Sequence, residues 1–353
     1  GGHPCRRACS SPSCRKPRLG LRMTGSGDAI AEYVRAMARG PSRGRGLTQN
    51  EARDALTQIM AGNAAAEAVG ALFMLMRYRG EDAGEIAGFV EAMRARIPDW
   101  RALEPAIDWP SYAAGRTRGA PLFLLAAKLV AGTGRSVAIH GWNSHLTHPA
   151  STIKGAAALG ISFATTPEAA RAALDAGAIT YIPLGDLDAE ALRLLQLRTV
   201  LGLRSPLNTA LRALNPTGAA TSVQGVFHPT YRALQSDAAH LLSQPAMGVV
   251  KGGGGEFERH PGKAIELYGY NQSGPFDLKM PALEGAPARR MKSDDEAPSI
   301  DVMMRLWDGS AQDEFAKAIV IATTGAALFV AGAETNIKRA DQMAEALWQD
   351  RRI

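Results

Sequence analysis

From residue 122 onward, short runs rich in β-branched residues alternate with longer segments of helical character. The runs lie at Ser136–His140, Ile179–Pro183, Thr221–Phe227, Gly248–Lys251 and Lys263–Tyr268. Consecutive parallel strands need a crossover of about a dozen or more residues, which is usually a helix. The alternation therefore predicts an α/β fold with a mainly parallel sheet that is covered by helices.

The segment before this alternation has a purely helical pattern, from residue 28 to residue 96. Thr48, followed three residues later by Glu51, is the signature of a capping box at the start of one helix. A Pro- and Trp-containing stretch at 98–110 is interpreted as a linker. We expect a small all-helical domain formed by residues 24–97 with 188–216, and a larger α/β domain formed by 106–187 with 217–353.

Residues 1–22 differ in composition from the rest of the chain. They hold all three cysteines and six of the 40 basic residues, but none of the 34 acidic residues. We interpret them as an extension that the fold does not need, with a Cys/His metal knuckle as the alternative. The residues of that knuckle would be His3, Cys5, Cys9 and Cys14. The remaining chain is neutral and lacks thiols. Because it lacks thiols, we expect a cytoplasmic protein without a disulfide framework.

The most apolar stretch of the chain lies at 315–333 and has about the length of a membrane span. It contains Lys317, Thr323, Thr324 and Gly325, which a membrane span would rarely combine. We therefore expect a buried helix there, and no association with a membrane.

Acidic residues are missing from two long windows of the sequence. Between Asp108 and Glu168 lie 59 residues, and between Glu190 and Asp237 lie 46 residues, without any Asp or Glu. If both windows fold onto one face, they build a positive cleft of the kind that binds polyanions. The alternative is that the windows are buried core, where charges of both signs are scarce. Because the windows keep their arginines, the sequence favours the positive cleft.

Two smaller patterns are compatible with ligand binding. Gly252–Gly255, flanked by Lys251 and Arg259, fits either a backbone anion nest or a plain tight turn. His140, His145 and His148 do not have a standard metal spacing, and we interpret them as structural or phosphate-contacting residues.

Four motifs follow one another in an order that is found in a known family. They are His140-Gly141 after a predicted strand, LQLRTVLGLRSPLNTALRALNP at 195–216, VQGVFHP at 223–229 and VVKGGGGE at 249–256. This layout resembles the anthranilate phosphoribosyltransferase family, from about residue 24 to the C-terminus. The resemblance implies a nucleoside phosphorylase or phosphoribosyltransferase-like fold, in which a small helical domain packs beside an α/β domain.

The chain departs from that family where the phosphoribosyl donor binds. The family holds phosphoribosyl pyrophosphate on a GTGGD loop followed by an N-x-S-T motif, because backbone amides and hydroxyls must approach the pyrophosphate closely. The corresponding stretches here are Ser111–Gly115 and Pro121–Leu124, which lack those glycines and hydroxyls. The family's metal-binding Asp-Glu pair aligns with Gly255-Glu256, and Glu258 offers a second carboxylate. These losses predict that transferase activity is absent or very weak.

The departures at 110–121, 201–216 and 251–261 are similar to the YbiB-type DNA-binding proteins of the same fold. That resemblance implies a homodimer that binds nucleic acid with little sequence preference. We therefore expect DNA or RNA to bind in a basic groove between the two domains, without a cofactor or a catalytic residue. The expected phosphate contacts are Arg116, Arg118, His140, Arg198, Arg204, Arg212, Lys251 and Arg259. The alternative is a phosphoribosyltransferase with a modified donor site, in which Glu256 and Glu258 hold Mg²⁺.

Overall fold

A helical bundle and a larger α/β unit make up the computed structural model, which describes residues 28–40, 42–112, 119–142, 151–288 and 299–351. The bundle helices are α1 (Ala31–Ala38), α2 (Gln49–Met60), α3 (Ala66–Arg79) and α4 (Ala83–Arg94). The predicted capping box is present, because the Thr48 side chain accepts from the Glu51 amide and the Glu51 side chain accepts from the Thr48 amide. Helices α2 and α4 cross at Gly88, where a Cβ would lie 2.2 Å from the Gln49 carbonyl oxygen. Glycine is what permits this close crossing.

The other helices lie between and behind the strands. They are α5 (Pro98–Arg101), α6 (Phe123–Ala131), α7 (Thr152–Ala158), α8 (Pro167–Gly177), α9 (Leu184–Leu187), α10 (Ala189–Gln196), α11 (Arg198–Leu201), α12 (Leu207–Ala210), α13 (Tyr231–Leu241), α14 (Ile300–Asp308), α15 (Glu314–Val330) and α16 (Ile337–Gln349). Leu194, Leu207 and Leu211 are buried in the same hydrophobic core as Leu56 and Leu72 of the bundle. The segment from α10 to α12 therefore packs with the bundle.

The strands form one mainly parallel sheet, as the alternation predicted. They are β1 (Ile107–Ser111), β2 (Val137–Gly141), β3 (Ser162–Phe163), β4 (Ile179–Pro183), β5 (Thr221–Val226), β6 (Ala246–Lys251), β7 (Ile265–Asn271) and β8 (Gly274–Met280). Their order in the sheet is β3-β4-β2-β1-β5-β6-β7-β8. Strands β1 to β6 pair in parallel, whereas β7 and β8 are antiparallel.

Three strands lie where the sequence predicts none: β1, the two-residue β3, and β8. Strand β1 falls in the stretch interpreted as a linker. Asp108 and Pro110 interrupt its apolar pattern, so no strand signal is present there, although every residue of the strand is buried. Strand β8 falls in a stretch that is dense in Pro, Gly and charge. It is the outermost strand of the sheet, and its exposed positions weaken the hydrophobic signal.

The two faces of the sheet belong to different hydrophobic cores. Trp109 and Ile139 pack with α6 and α15 on one face, whereas Ala138 and Ile182 belong to the core that continues into the bundle. Helix α15 is the buried helix predicted at 315–333, and most of its residues are inaccessible. None of the helices in the described part of the chain combines the length and apolar character that crossing a membrane requires.

The direction in which the chain adds strands reverses beside β1. From β1 the chain moves outward to β2 and β4, and then returns to place β5 on the other side of β1. In open α/β sheets, ligands bind outside the carboxyl ends of the strands at such a reversal. The fold therefore predicts a ligand-binding site at the carboxyl ends of β1 and β5.

Candidate functional site

Three buried polar side chains meet at the carboxyl end of β1. The Ser111 hydroxyl donates to Glu256 Oε1 at 3.0 Å and lies 2.9 Å from the Thr152 hydroxyl. Ser111 ends β1, Thr152 begins α7, and Glu256 follows β6. Since their exposed fractions are only 1–2%, these groups contact one another and not bulk water. We call Ser111, Thr152 and Glu256 the edge cluster.

Glycines allow the chain to place Glu256 against β5. A Cβ at Gly225 would lie 2.0 Å from the Glu256 carbonyl carbon, and a Cβ at Gly252 would lie 1.6 Å from the Glu256 carbonyl oxygen. Any larger residue at these positions would push the turn away from the sheet. Glu258 is fixed as well, because its Oε1 accepts from the Phe123 amide at the start of α6 at 3.0 Å.

The Gly252–Gly255 run forms a tight turn. The Gly255 amide donates to the Gly252 carbonyl at 3.1 Å, and the Glu256 amide donates to the Gly253 carbonyl at 3.2 Å. Gly254 and Gly255 have φ values of +65° and +91°, which favour glycine. These two amides are thus used within the turn, as the tight-turn interpretation requires.

A cavity lies between the bundle and the sheet, next to the edge cluster. It has a volume of about 250 Å³, and α3, α12, α13 and the end of β5 contribute to its lining. Its polar lining residues are Arg77, Glu81, Arg204, Ser205, Asn208, Thr209, Arg212, His228, Tyr231 and Gln235. We call this cavity the arginine pocket.

Arg212 connects the arginine pocket with the edge cluster. Its Nη1 donates to the Asn208 carbonyl at 2.7 Å, and its Nη2 donates to the carbonyl of Tyr112, directly after β1, at 2.9 Å. Burial lowers the pKa of Arg212, while the Glu256 carboxylate acts in the opposite direction. Burial also lowers the pKa of Arg204, and the nearby charges of Arg198 and Arg77 lower it further. The pocket therefore concentrates positive charge beside the carboxyl end of β1.

The other expected phosphate contacts lie elsewhere. His140 is fully buried, with Nδ1 2.9 Å from the Tyr112 hydroxyl and Nε2 3.1 Å from Asp108 Oδ1. The buried Arg259 side chain pairs with Asp341 at 2.6 Å and donates to the Pro281 carbonyl at 2.7 Å. Exposed Lys251 lines a different cavity.

The structure thus brings Arg204 and Arg212 together, with Arg198 close by, and separates them from His140, Lys251 and Arg259. Arg116, Arg118, His145 and His148 lie outside the described residues, as does the Cys/His knuckle of residues 1–22. Within the described ranges, no group of three or more His, Cys, Asp or Glu side chains could hold a metal ion.

Sequence reasoning missed several residues of the site. Arg77 and Tyr231 are 154 positions apart, so no local pattern could join them. Gln235 looks like an ordinary polar residue of an amphipathic helix. Ser111 could have been found, because a hydroxyl directly after a buried strand lies at the ligand-binding edge of a parallel sheet. That signal was hidden because β1 itself was not recognised.

Comparisons with known proteins agree with this architecture. A model described as the helical bundle domain of a glycosyl transferase family matches residues 31–97, and one described as the a/b domain of a glycosyl transferase family matches residues 122–350. The anthranilate phosphoribosyltransferase of Thermus thermophilus has 22% identity and a TM-score of 0.74, covering 91% of this chain and 94% of the other. The enzyme from Saccharomyces cerevisiae, in complex with PRPP and Mg, has 16% identity and a TM-score of 0.72, covering 92% and 94%. At these identities the two structures show a shared fold.

Sequence relatives carry the same name. The anthranilate phosphoribosyltransferase of Geobacillus kaustophilus is 26% identical over 311 residues, which cover 86% of this chain and 90% of the relative. That of Rhizobium rhizogenes is 32% identical over 209 residues, which cover 59% of this chain and 61% of the relative. The latter match spans about three fifths of the relative's length.

These relatives overturn the expected nucleic-acid function and the expected DNA or RNA partner, because they are phosphoribosyltransferases. The physical reason is that the acid-free windows are mostly buried core, since they contain β2, α6, β5 and the last three residues of β1. Two of their arginines, Arg204 and Arg212, line a pocket of about 250 Å³, which is small for a polynucleotide. The YbiB-type branch and the homodimer stay predictions. The chain belongs to the glycosyl transferase family, among its anthranilate phosphoribosyltransferase-like members.

Proposed function

We propose that this protein is a phosphoribosyltransferase with a modified donor site. The observation that carries the proposal is the edge cluster at the strand reversal beside β1, where Ser111 donates to Glu256. The relatives support it, because they are anthranilate phosphoribosyltransferases and a structural neighbour is described in complex with PRPP and Mg. Phosphoribosyl pyrophosphate is the proposed donor, and an amine is the proposed acceptor.

In the proposed reaction, the bond between ribose C1 and the pyrophosphate oxygen breaks, and pyrophosphate leaves with the bonding electrons. The acceptor nitrogen forms the new C1–N bond and loses a proton. The donor lies at the carboxyl ends of β1 and β5, and the acceptor lies in the adjoining arginine pocket. Arg212, which bonds to the Tyr112 carbonyl, holds a positive charge between the two, where it stabilises negative charge on the leaving pyrophosphate.

The carboxylates present fit the Mg²⁺ that such a donor carries. Magnesium on a diphosphate takes about one or two protein carboxylates and completes its shell with phosphate oxygens and water. Glu256 and Glu258 follow the same turn, and Ser111 and the Phe123 amide fix their orientations. These two residues would hold Mg²⁺, which supplies charge neutralisation for the leaving pyrophosphate. Their hydrogen bonds set the carboxylates in place before substrate arrives.

The test is the release of pyrophosphate from phosphoribosyl pyrophosphate, measured with Mg²⁺ and a panel of aromatic amines that includes anthranilate. We expect saturable release that depends on the amine. Glu256→Gln should lower kcat by about 10- to 100-fold, as expected when metal-site contacts are lost. Glu67→Gln, on the exposed first turn of α3, is the control and should leave kcat unchanged. Absence of amine-dependent release from the wild-type protein would refute the proposal.

A further inference from the structure

Gln235 is the most unusual residue of the arginine pocket. It lies on α13 and is only 1% exposed. Its Nε2 donates to the Thr209 carbonyl at 3.1 Å, which fixes the orientation of the amide. Its Oε1 is buried and has no hydrogen-bond partner among the described residues. A fixed acceptor without a donor therefore lines this pocket.

Two neighbours share this condition. Within the described part of the chain, Asn208 Oδ1 and the Ser205 hydroxyl are also buried without a hydrogen-bond partner. Both residues line the arginine pocket together with Gln235. Buried polar groups in proteins nearly always find partners, so three unpartnered groups around one cavity indicate that a ligand completes them. The carbonyl oxygens of Gln235 and Asn208 can only accept, so the ligand must donate.

The charges that line the pocket indicate that the ligand also carries an anionic group. Neither Arg204 nor Arg212 forms an ion pair with any carboxylate that the structure describes. Glu81 is the one acidic residue among the described lining residues, and it faces Arg77 and Tyr231. The lining thus carries a net positive charge that an anionic group would neutralise.

We propose that the acceptor is an aromatic amine that also carries an anionic acid group and an additional O–H or N–H donor on its ring. Its acid group binds at Arg204, and its ring donor pairs with Gln235 and Asn208. The only donor on the ring of unsubstituted anthranilate is its reacting amine, which the proposed reaction directs at ribose C1 and not at these acceptors. A site built to hydrogen-bond a substrate group discriminates strongly against the analogue that lacks it. This inference rests on the proposed transferase function and names the acceptor class.

The test compares anthranilate with its ring-hydroxylated derivatives by isothermal titration calorimetry. This measurement needs no turnover. We expect at least one hydroxylated derivative to bind about tenfold or more tightly than anthranilate, in keeping with the discrimination that a buried hydrogen bond provides. Anthranilate binding as tightly as every derivative, or no binding of any of them, would overturn the inference.

Two variants locate the discrimination. Gln235→Leu should abolish the preference by weakening only the hydroxylated ligand, whereas Arg204→Gln should weaken both ligands and keep the preference. Gln58→Leu, on α2 outside the pocket, is the control and should change neither affinity. If Gln235→Leu fails to fold, Asn208→Ala removes the other assigned acceptor and provides the same comparison. Equal losses for both ligands in the Gln235 variant or the Asn208 variant would contradict the assigned residues.

The two proposals fail in different ways. A preference for hydroxylated ligands without pyrophosphate release would leave the ligand class in place and remove the transferase function. Pyrophosphate release with anthranilate as the tightest ligand would leave the transferase function in place and remove the proposed ligand class.

Discussion

Arg77 Nη1, on the bundle helix α3, donates a hydrogen bond of 2.6 Å to the hydroxyl of Tyr231, which begins α13 on the bundle side of the sheet. The same hydroxyl donates to Glu81 Oε2 at 3.2 Å. At the arginine pocket, the Tyr231 hydroxyl thus links the bundle with the α/β unit. Burial raises the pKa of this phenol, and the Glu81 carboxylate adds to the effect, so Tyr231 stays protonated and keeps its donor.

Replacing Tyr231 with Phe tests this connection. The change removes both hydrogen bonds and leaves Glu81 without its donor, so we expect a loss of about 1 kcal/mol in the free energy of unfolding. Tyr270→Phe is the matched control, because the buried Tyr270 hydroxyl has no hydrogen-bond partner among the described residues. Urea denaturation of the two variants makes the comparison. Equal losses would show that the Tyr231 hydroxyl does not join the two parts.

Gly225→Ala tests the close approach of the edge cluster to β5. The added Cβ would lie 2.0 Å from the Glu256 carbonyl carbon, so either the turn or the strand must move. We expect a loss of about 3 kcal/mol, at the upper end for an overpacked core. Gly177→Ala, at the end of α8, meets no atom within 4 Å and should be neutral or slightly stabilising. Thermal unfolding that lowers both melting temperatures alike would refute the steric argument.

The first helices should respond to acid through Glu51. Its hydrogen bonds with Arg45 lower the pKa of the Glu51 carboxyl to about 2, so the folded state binds this proton less readily than the unfolded chain does. The stabilisation is therefore complete above the ordinary carboxyl pKa, about 4 to 5, and is lost as the pH falls towards about 2. In Glu51→Gln, the free energy of unfolding should fall less steeply over this range than in the wild type. An unchanged slope, measured by urea denaturation at several pH values, would argue against the pair.

Arg259 provides a test of structural against phosphate-binding roles. Its buried pair with Asp341 predicts that Arg259→Met costs about 3–5 kcal/mol, because a buried carboxylate loses its cation. Arg305→Met, which breaks the exposed pair with Asp301, should cost less than about 1 kcal/mol. A variant at Arg259 that keeps its stability and instead loses affinity for pyrophosphate would restore the phosphate-binding interpretation.

The fold could be predicted because its signals are local. The capping box of Thr48 and Glu51 and the spacing of apolar runs both depend on neighbouring residues. Strand β1 was not predicted because Asp108 and Pro110 are buried in the sheet although neither fits an apolar pattern. Asp108, for example, accepts from the Ser222 hydroxyl at 2.8 Å.

The site could be predicted only in part, because the positions of charged residues in a sequence do not show whether their side chains are buried or exposed. The acid-free windows were correctly found, but their arginines go to different places: Arg204 and Arg212 to a pocket, and others to the surface. Arg259, outside the windows, goes to the core. A buried strand and a binding groove both exclude acidic residues, so composition alone cannot separate them. Pairs such as Ser111 and Glu256, which are 145 residues apart, depend on the sheet topology.

The Arg212 side chain is held by the main-chain carbonyl groups of Asn208 and Tyr112, and the side chains of these two partners take no part in the bonds. Every amino acid offers the same carbonyl, so substitutions at these two positions can conserve the contact without any compensating change. Correlated substitutions among relatives would then carry no trace of this arrangement. The position of the Arg212 guanidinium is therefore set by the path of the main chain. Only a change at Arg212 itself, or in that path, can remove it.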